Sequence, residues 1–430
     1  MTFRSVWFCI LCTLVASALS AQEPTGIRLR VTYEPGYQPG LVVLPFAGGG
    51  STSAPIRQIV RQDLDFSDRF SLKDAGSAGP GDAADAARWR ERGADWVLAG
   101  EVSPRAGGYT LRLTLHDAVY GQVKQSGSFA LPAPGAGDFR MAVHAAADEV
   151  VRWATGEPGM AATRVAFVRQ SGRDKEIYVV DSDGENVRRI TNDGSIALSP
   201  AWSPGGGRIA YTSFRGGGPA LYERDLATGR DRTLASGPGI HITPEYSPDG
   251  RTLAFAATLA GNTEVMTMPA SGGSPRPQTR GRRFDSLSPT FAPDGNRIAF
   301  VSNRLGAPYL YVMQLGGEPR LVSNYTYGER GYDTSPDWSP TGAQIVYETR
   351  VRGAPQLAVV DASGSGARLL TNSSSNEDPS WAPDGRHVVF GSPNRDGGGL
   401  FVIDTASGRV RALLRGRGYG LPAWSGSLAR

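Results

Sequence analysis

Cysteine is nearly missing from this chain: Cys9 and Cys12 are the whole complement. Both fall in the first dozen residues, so the remainder has no thiol nucleophile, cysteine metal site or disulfide. Histidine is scarce as well. His116, His144, His241 and His387 are far apart, with no His-Glu-x-x-His, and a zinc site has no basis in them. Only Lys73, Lys124 and Lys175 are lysines, so the basic side is almost all arginine. With 45 basic against 41 acidic residues and no basic run, a nucleic-acid footprint is excluded. Long apolar runs are confined to the start. Arg4, an apolar run from Val6 to about Ala16 and then small residues have the layout of a secretory signal peptide over residues 1–21. Cleavage is expected after Ala18, Ser20 or Ala21. No cysteine follows to carry a lipid.

Glycine (56) and proline (30) are plentiful instead, spread as turn dipeptides between apolar runs. One phrase recurs: SPAWSPGG at 199–206, TPEYSPDG at 243–250, SPTFAPDG at 288–295, SPDWSPTG at 335–342, DPSWAPDG at 378–385 and a truncated LPAWSG at 421–426. Its aromatics, Trp202, Tyr246, Phe291, Trp338, Trp381 and Trp424, are 44, 45, 47, 43 and 43 residues apart. That is a tandem array. After each aromatic, Ser/Ala-Pro-Asp-Gly suits a type I turn. Strands such as RIAFVS, LYVMQ and PRLVS follow. Four short strands per unit make one β-propeller blade.

The ends complement each other. Residues 164–191 carry the last three strands of a unit without its opening, and Leu421–Trp424 is an opening with nothing after it. Joined, they make a sixth blade, so the C-terminal strand closes the ring and removes the exposed edges. The expected fold is a small N-terminal α/β domain, residues 22–158, followed by a six-bladed β-propeller, residues 159–430.

In the N-terminal part, GLVVLPF reads as a buried strand and Ile56, Ile59, Val60 and Leu64 as one helix face. RFSLKD is a short strand, DAADAARWRERG a helix, ADWVLAGEV, YTLRLTLHD and QVKQSGSFAL three strands, and DFRMAVHAAADEVVRWATG a helix ending at Gly156. A short Gly-Pro linker, Thr155–Gly159, follows. Ahead of these, Ile27, Leu29, Val31 and Tyr33 alternate with Arg28, Arg30 and Thr32. This period-2 strand is either an ordinary first strand or one that pairs with another protein's sheet.

Catalytic motifs are not found. AGGGSTS at 47–53 follows a strand and precedes a helix, but no Gly-Lys-Ser/Thr completes a phosphate loop. No Gly-x-Ser-x-Gly elbow occurs. Asp249, Asp294 and Asp384 of the Pro-Asp-Gly turns are replaced by Gly205 and Thr341 elsewhere, as turn positions are and metal ligands are not. No enzyme, cofactor, metal or small-molecule substrate is expected.

The whole mature chain resembles the TolB family, periplasmic components of the Tol–Pal cell-envelope system. The resemblance is carried by LVVLPF, GADWVLAGEV, ADEVVRWATGEPG leading into RVAFV, the propeller units and the terminal PAWS. It implies a periplasmic, monomeric, non-enzymatic adaptor peripheral to the envelope, serving outer-membrane integrity and constriction at division. It further implies that Pal, the peptidoglycan-associated lipoprotein, binds at one mouth of the propeller channel. The matching positions, just before each Pro-x-aromatic, are Leu198, Ser199, Ile242, Thr243, Leu287, Ser288, Ser335 and Asp378. The strand Ile27–Tyr33, including Arg28, Leu29, Arg30 and Val31, would engage the inner-membrane protein TolA. The competing readings are a periplasmic glycan- or peptide-binding propeller and an accessory propeller of a hydrolase. A lactonase would need acids converging on the channel, where the inner positions read mostly Ser, Ala and Pro.

Overall fold

The structure, a computed structural model, describes residues 37–281, 283–324 and 331–429. The strand read at Ile27–Tyr33 lies outside them.

Residues 40–132 form one mixed sheet from β1 (Gly40–Val43), β2 (Ala47–Gly48), β3 (Ser71–Lys73), β4 (Trp96–Arg105), β5 (Gly108–Asp117) and β6 (Gln122–Pro132). The order is β3-β1-β4-β5-β6, with β2 beside β4. β1 runs parallel to both neighbours and is buried on both faces, which is why it reads as an unbroken apolar run. β4, β5 and β6 form an antiparallel meander. Helices α1 (Ser53–Phe66) and α3 (Phe139–Thr155) cover one face. Ile56, Ile59, Val60 and Leu64 of α1 and Val143, Ala147 and Val150 of α3 pack on Leu41, Val43, Leu98, Leu111 and Leu113. AGGGSTS is a turn: Gly48, Gly49 and Gly50 all have positive φ, which permits three successive left-handed residues between β2 and α1. DAADAARWRERG is broken where one helix was expected. Residues Asp82–Ala84 form a 3₁₀ turn, and Asp85 then caps the short α2 (Ala86–Glu91).

The remainder is a ring of six four-stranded antiparallel sheets. Blade 1 spans Ala197–Ala235, blade 2 His241–Pro277, blade 3 Ser286–Leu321, blade 4 Asp333–Leu369 and blade 5 Glu377–Arg415. Blade 6 takes its innermost strand, Tyr419–Trp424, from the C-terminal end and its other three from Arg164–Arg189. The closure read from the two partial units is the one formed.

Each repeat aromatic is a wedge between blades. Trp338 of blade 4 packs on Ala299, Leu310 and Val312 of blade 3, and Trp381 of blade 5 on Val346 and Leu357 of blade 4. Trp424 reaches Val389 and Leu400 of blade 5, and Trp202 meets Ala166 and Val179 of blade 6. The Pro-Asp-Gly aspartates do turn work. Asp294 accepts from Asn296 N at 2.8 Å and Arg297 N at 3.2 Å, and Asp249 from Arg251 N at 3.0 Å.

The junction between the two parts is tight. Asp148 of α3 accepts the backbone N–H groups of Ala161 and Ala162, both at 2.8 Å. A Cβ on Gly159 would lie 2.1 Å from Asp148 Oδ1, so the Gly-Pro linker is a fitted connection. The end of α1 inserts Asp68 into blade 5, where it meets His387 and Arg409.

Candidate functional site

The innermost strands of successive blades touch one another all the way round, including the first and the last. They run from one mouth of a central channel to the other. At the end where they finish, Trp202, Tyr246, Phe291, Trp338, Trp381 and Trp424 line a cavity of about 280 Å³. The Pro-Asp-Gly turns and the N-terminal sheet domain lie on that side. The far mouth is where the strands begin.

There one geometric feature repeats six times. Ser199, Thr243, Ser288, Ser335, Asp378 and Leu421 have φ of 50°, 51°, 52°, 49°, 52° and 48°. Each precedes the proline of its repeat, and each sits in a bulge of its inner strand. Left-handed backbone costs a non-glycine residue on the order of 1–2 kcal/mol. A bulge lets the buried proline, which has no N–H for the ladder, sit inside the strand. It also turns the preceding residue toward the mouth.

All eight sequence-read positions (Leu198, Ser199, Ile242, Thr243, Leu287, Ser288, Ser335 and Asp378) lie at this mouth and are half-buried. Leu421 belongs with them. It stands before proline in the truncated LPAWSG, so the same sequence rule applied to the last unit reaches it. Ser335 Oγ donates to Asp378 Oδ1 of the next blade at 3.1 Å. His241 Nδ1 and Thr243 Oγ1 are buried there without a hydrogen-bond partner.

Deeper in, the residue between proline and aromatic faces the channel and ties blades together. Trp338 N donates to Thr290 Oγ1 at 3.3 Å, Trp381 N to Asp337 Oδ2 at 2.6 Å and Trp424 N to Ser380 Oγ at 3.1 Å. Two of these positions carry acids, Glu245 and Asp337, which departs from the expectation of a wall of Ser, Ala and Pro. Glu377 and Glu348 approach the same wall beside Asp378. Burial pushes Asp337 up to about 6. Burial, with Asp378 and Glu377 adding, pushes Glu348 up to about 7. Burial and then Asp337 hold Glu245 well above the ordinary carboxyl range. Spacing exposed the position, but only the ring shows that these carboxyls converge.

Comparison with known proteins agrees with this architecture. The TolB beta propeller domain pattern matches residues 151–428 and the TolB amino-terminal domain pattern residues 27–123. The chain belongs to the TolB family. Curated relatives named Tol-Pal system protein TolB include one from Polaromonas naphthalenivorans (strain CJ2), 37% identical over 197 residues and 45% of each chain. Another, from Methylococcus capsulatus (strain Bath), is 38% identical over 201 residues, 45% of this chain and 46% of that relative. The match spans about half the length of these relatives. The crystal structure of TolB from Acinetobacter baumannii is similar over 91% of this chain and 98% of that one, with 27% identity and a TM-score of 0.79. The family is one of Tol–Pal system proteins, not enzymes.

Proposed function

We propose that this TolB family member is a periplasmic adaptor that docks Pal at the far mouth of its propeller. The contact residues are Leu198, Ser199, Ile242, Thr243, Leu287, Ser288, Ser335 and Asp378, together with Leu421. In the same reading the strand at Ile27–Tyr33 engages TolA, and the two contacts serve outer-membrane integrity and envelope constriction. The observation that carries it is the sixfold ring of left-handed, half-buried residues at one mouth. A rigid ring presenting one short side chain per blade makes a concave receptor for a protein segment. The proline bulge accounts for the strained backbone, and its consequence is that one residue per blade is turned to the same surface.

Calorimetric titration of residues 22–430 with the soluble domain of Pal from the same organism tests the reading, alongside a version starting at residue 35. Saturable binding altered by the deletion supports docking and coupling together. Binding indifferent to the deletion keeps the docking and removes the coupling, and no binding in either removes both.

A further inference from the structure

Arginines from four of the six blades surround the far mouth, Arg350 near Glu348 and Glu377 among them. At the outer ends of the second strands, guanidinium groups are stacked on aromatic rings. Arg169 lies 5.5 Å from the Tyr178 ring centre, Arg304 4.5 Å from Tyr311, Arg350 4.1 Å from Tyr332 and Arg395 5.7 Å from Phe401. None of the four forms an ion pair with a described residue. Arg215 occupies the matching place in blade 1, over Tyr222, but there Asp193 and Asp231 hold it. These rings adjoin the starts of the inner strands: Arg169 lies opposite Tyr419 in the sheet, and Tyr332 immediately precedes Asp333.

Beyond them Arg173, Arg352 and Arg417 are exposed on the loops of the same face, again without an ion pair to a described residue. Several arginines of the turn side are paired. There Arg297 pairs with Asp294 at 2.7 Å, Arg232 with Glu223 at 2.7 Å and Arg386 with Asp404 at 2.6 Å. Pairing is not confined to one face. Arg230 and Arg276 are exposed on the turn side without an ion pair to a described residue, and Arg415 pairs with Asp396 at 3.4 Å on the far side. The far mouth is distinguished by the guanidinium groups stacked on aromatic rings around it. A guanidinium fixed against a ring can offer its N–H edge to a carboxylate in two-point geometry. Arg169 and Arg350 are exposed for this, while Arg304 Nε donates to Ser302 Oγ at 3.2 Å and Arg395 Nε is buried.

We propose that this rim receives a partner protein whose contact surface is acidic, with carboxylates encircling the segment that enters the mouth. The inference rests on the docking reading above and adds the chemistry of the partner's surface. The centre of the mouth is itself acidic (Glu377 and Asp378), so the segment entering it is not an anionic one. Complementary rims of this kind act on encounter rate and on specificity, and salt weakens them.

The test reverses Arg173, Arg352 and Arg417 to Glu together, side chains that touch nothing the fold needs. A control reverses Arg230, Arg251 and Arg276, exposed on the turn side. With the soluble Pal domain as probe, the rim variant is expected to bind about tenfold more weakly or worse, with the control unchanged. Wild-type affinity is expected to fall between about 50 and about 300 mM salt. Wild-type binding that the rim variant retains within about twofold overturns the proposal and leaves the docking reading standing. If the wild type does not bind the Pal domain, the docking reading fails and poly-L-glutamate at low salt becomes the probe. Retention lost only in the rim variant then supports the rim. Equal retention in all three proteins, or none, overturns it.

Discussion

His387 of blade 5 is held between two carboxylates from different parts of the chain: Nδ1 lies 2.6 Å from Asp384 Oδ2 and Nε2 lies 3.1 Å from Asp68 Oδ2. All three side chains are buried. An acceptor on each ring nitrogen calls for the doubly protonated imidazolium. Burial opposes that charge, but Asp384 and then Asp68 outweigh it and keep the pKa above the usual histidine value. Asp68 also accepts from Arg409 at 2.7 Å, and its carbonyl accepts from Arg386 at 2.9 Å. Asp68, two residues after α1, thus anchors the N-terminal sheet domain to the propeller.

Removing that anchor strands buried charges. Asp68→Ala is expected to lower the unfolding free energy by about 3 kcal/mol, the usual scale for breaking a buried pair. It should also split the calorimetric melting transition in two, because the domains lose their shared lock. A single transition at the wild-type temperature would show that the anchor is dispensable.

The same histidine sets a pH dependence. Its folded pKa is raised, so its contribution is complete below about pH 6.5 and is lost as pH rises through the folded value. Chemical denaturation between about pH 6 and pH 9 should show wild-type stability falling with a slope that His387→Gln lacks. Asp384 works at the other end. His387 overcomes the effect of burial and lowers its pKa, so its contribution is lost only as pH falls below about 3.8. Equal slopes for wild type and His387→Gln would mean that the histidine is neutral in the folded protein.

Asp337 has the opposite sign. Burial raises it to about 6, so the folded state holds its proton more tightly than the unfolded chain. Stability from this group is therefore lost as pH rises from about 4 through about 6. Asp337→Asn keeps an oxygen to accept from Trp381 N and cannot ionise. The variant should match the wild type near pH 4 and exceed it by about 1–2 kcal/mol above pH 6, allowing for partial exposure of the site. A variant less stable than wild type at pH 8 contradicts the assignment.

Thr243 combines two costs, a β-branched side chain at φ 51° and a buried hydroxyl without a partner. Thr243→Gly should raise stability by about 0.5–1 kcal/mol, since relief of the left-handed strain exceeds glycine's added flexibility when unfolded. Urea denaturation reads this directly. A loss of stability would mean that the threonine makes a contact outweighing its strain.

Ring closure gives the largest effect. Ending the chain at residue 416 deletes Tyr419–Trp424 and with it the bond from Trp424 Nε1 to Thr163 Oγ1 at 2.7 Å. Blade 5 loses its wedge and blade 6 its inner strand. Cooperative unfolding followed by circular dichroism should disappear, and a truncated chain that still melts sharply would show that the ring holds without closure.

The propeller was legible in sequence because every blade repeats the same local demands. A proline needs a bulge, an aromatic needs the neighbouring blade, and Pro-Asp-Gly needs a turn, each within a few residues of the others. The N-terminal domain was legible at α1, α3 and β1, where periodicity or an unbroken apolar run is strong. It was less so at α2, where Asp85 caps a new helix in a run of Ala and Asp that reads as continuous. The mouth residues came from the family resemblance, which places them just before each Pro-x-aromatic. Leu421 was reachable by the same placement.

The chain by itself determined the number of blades, the strand that closes them and the positions that reach the channel, because spacing and turn chemistry are local properties. Tertiary structure alone decided which charges meet. Asp68 and His387 are 319 residues apart, Glu245 and Asp337 belong to different blades, and the rim arginines come from four separate blades. Coulombic partnership and desolvation depend on distance in space and on what excludes water, and neither is written in the order of residues.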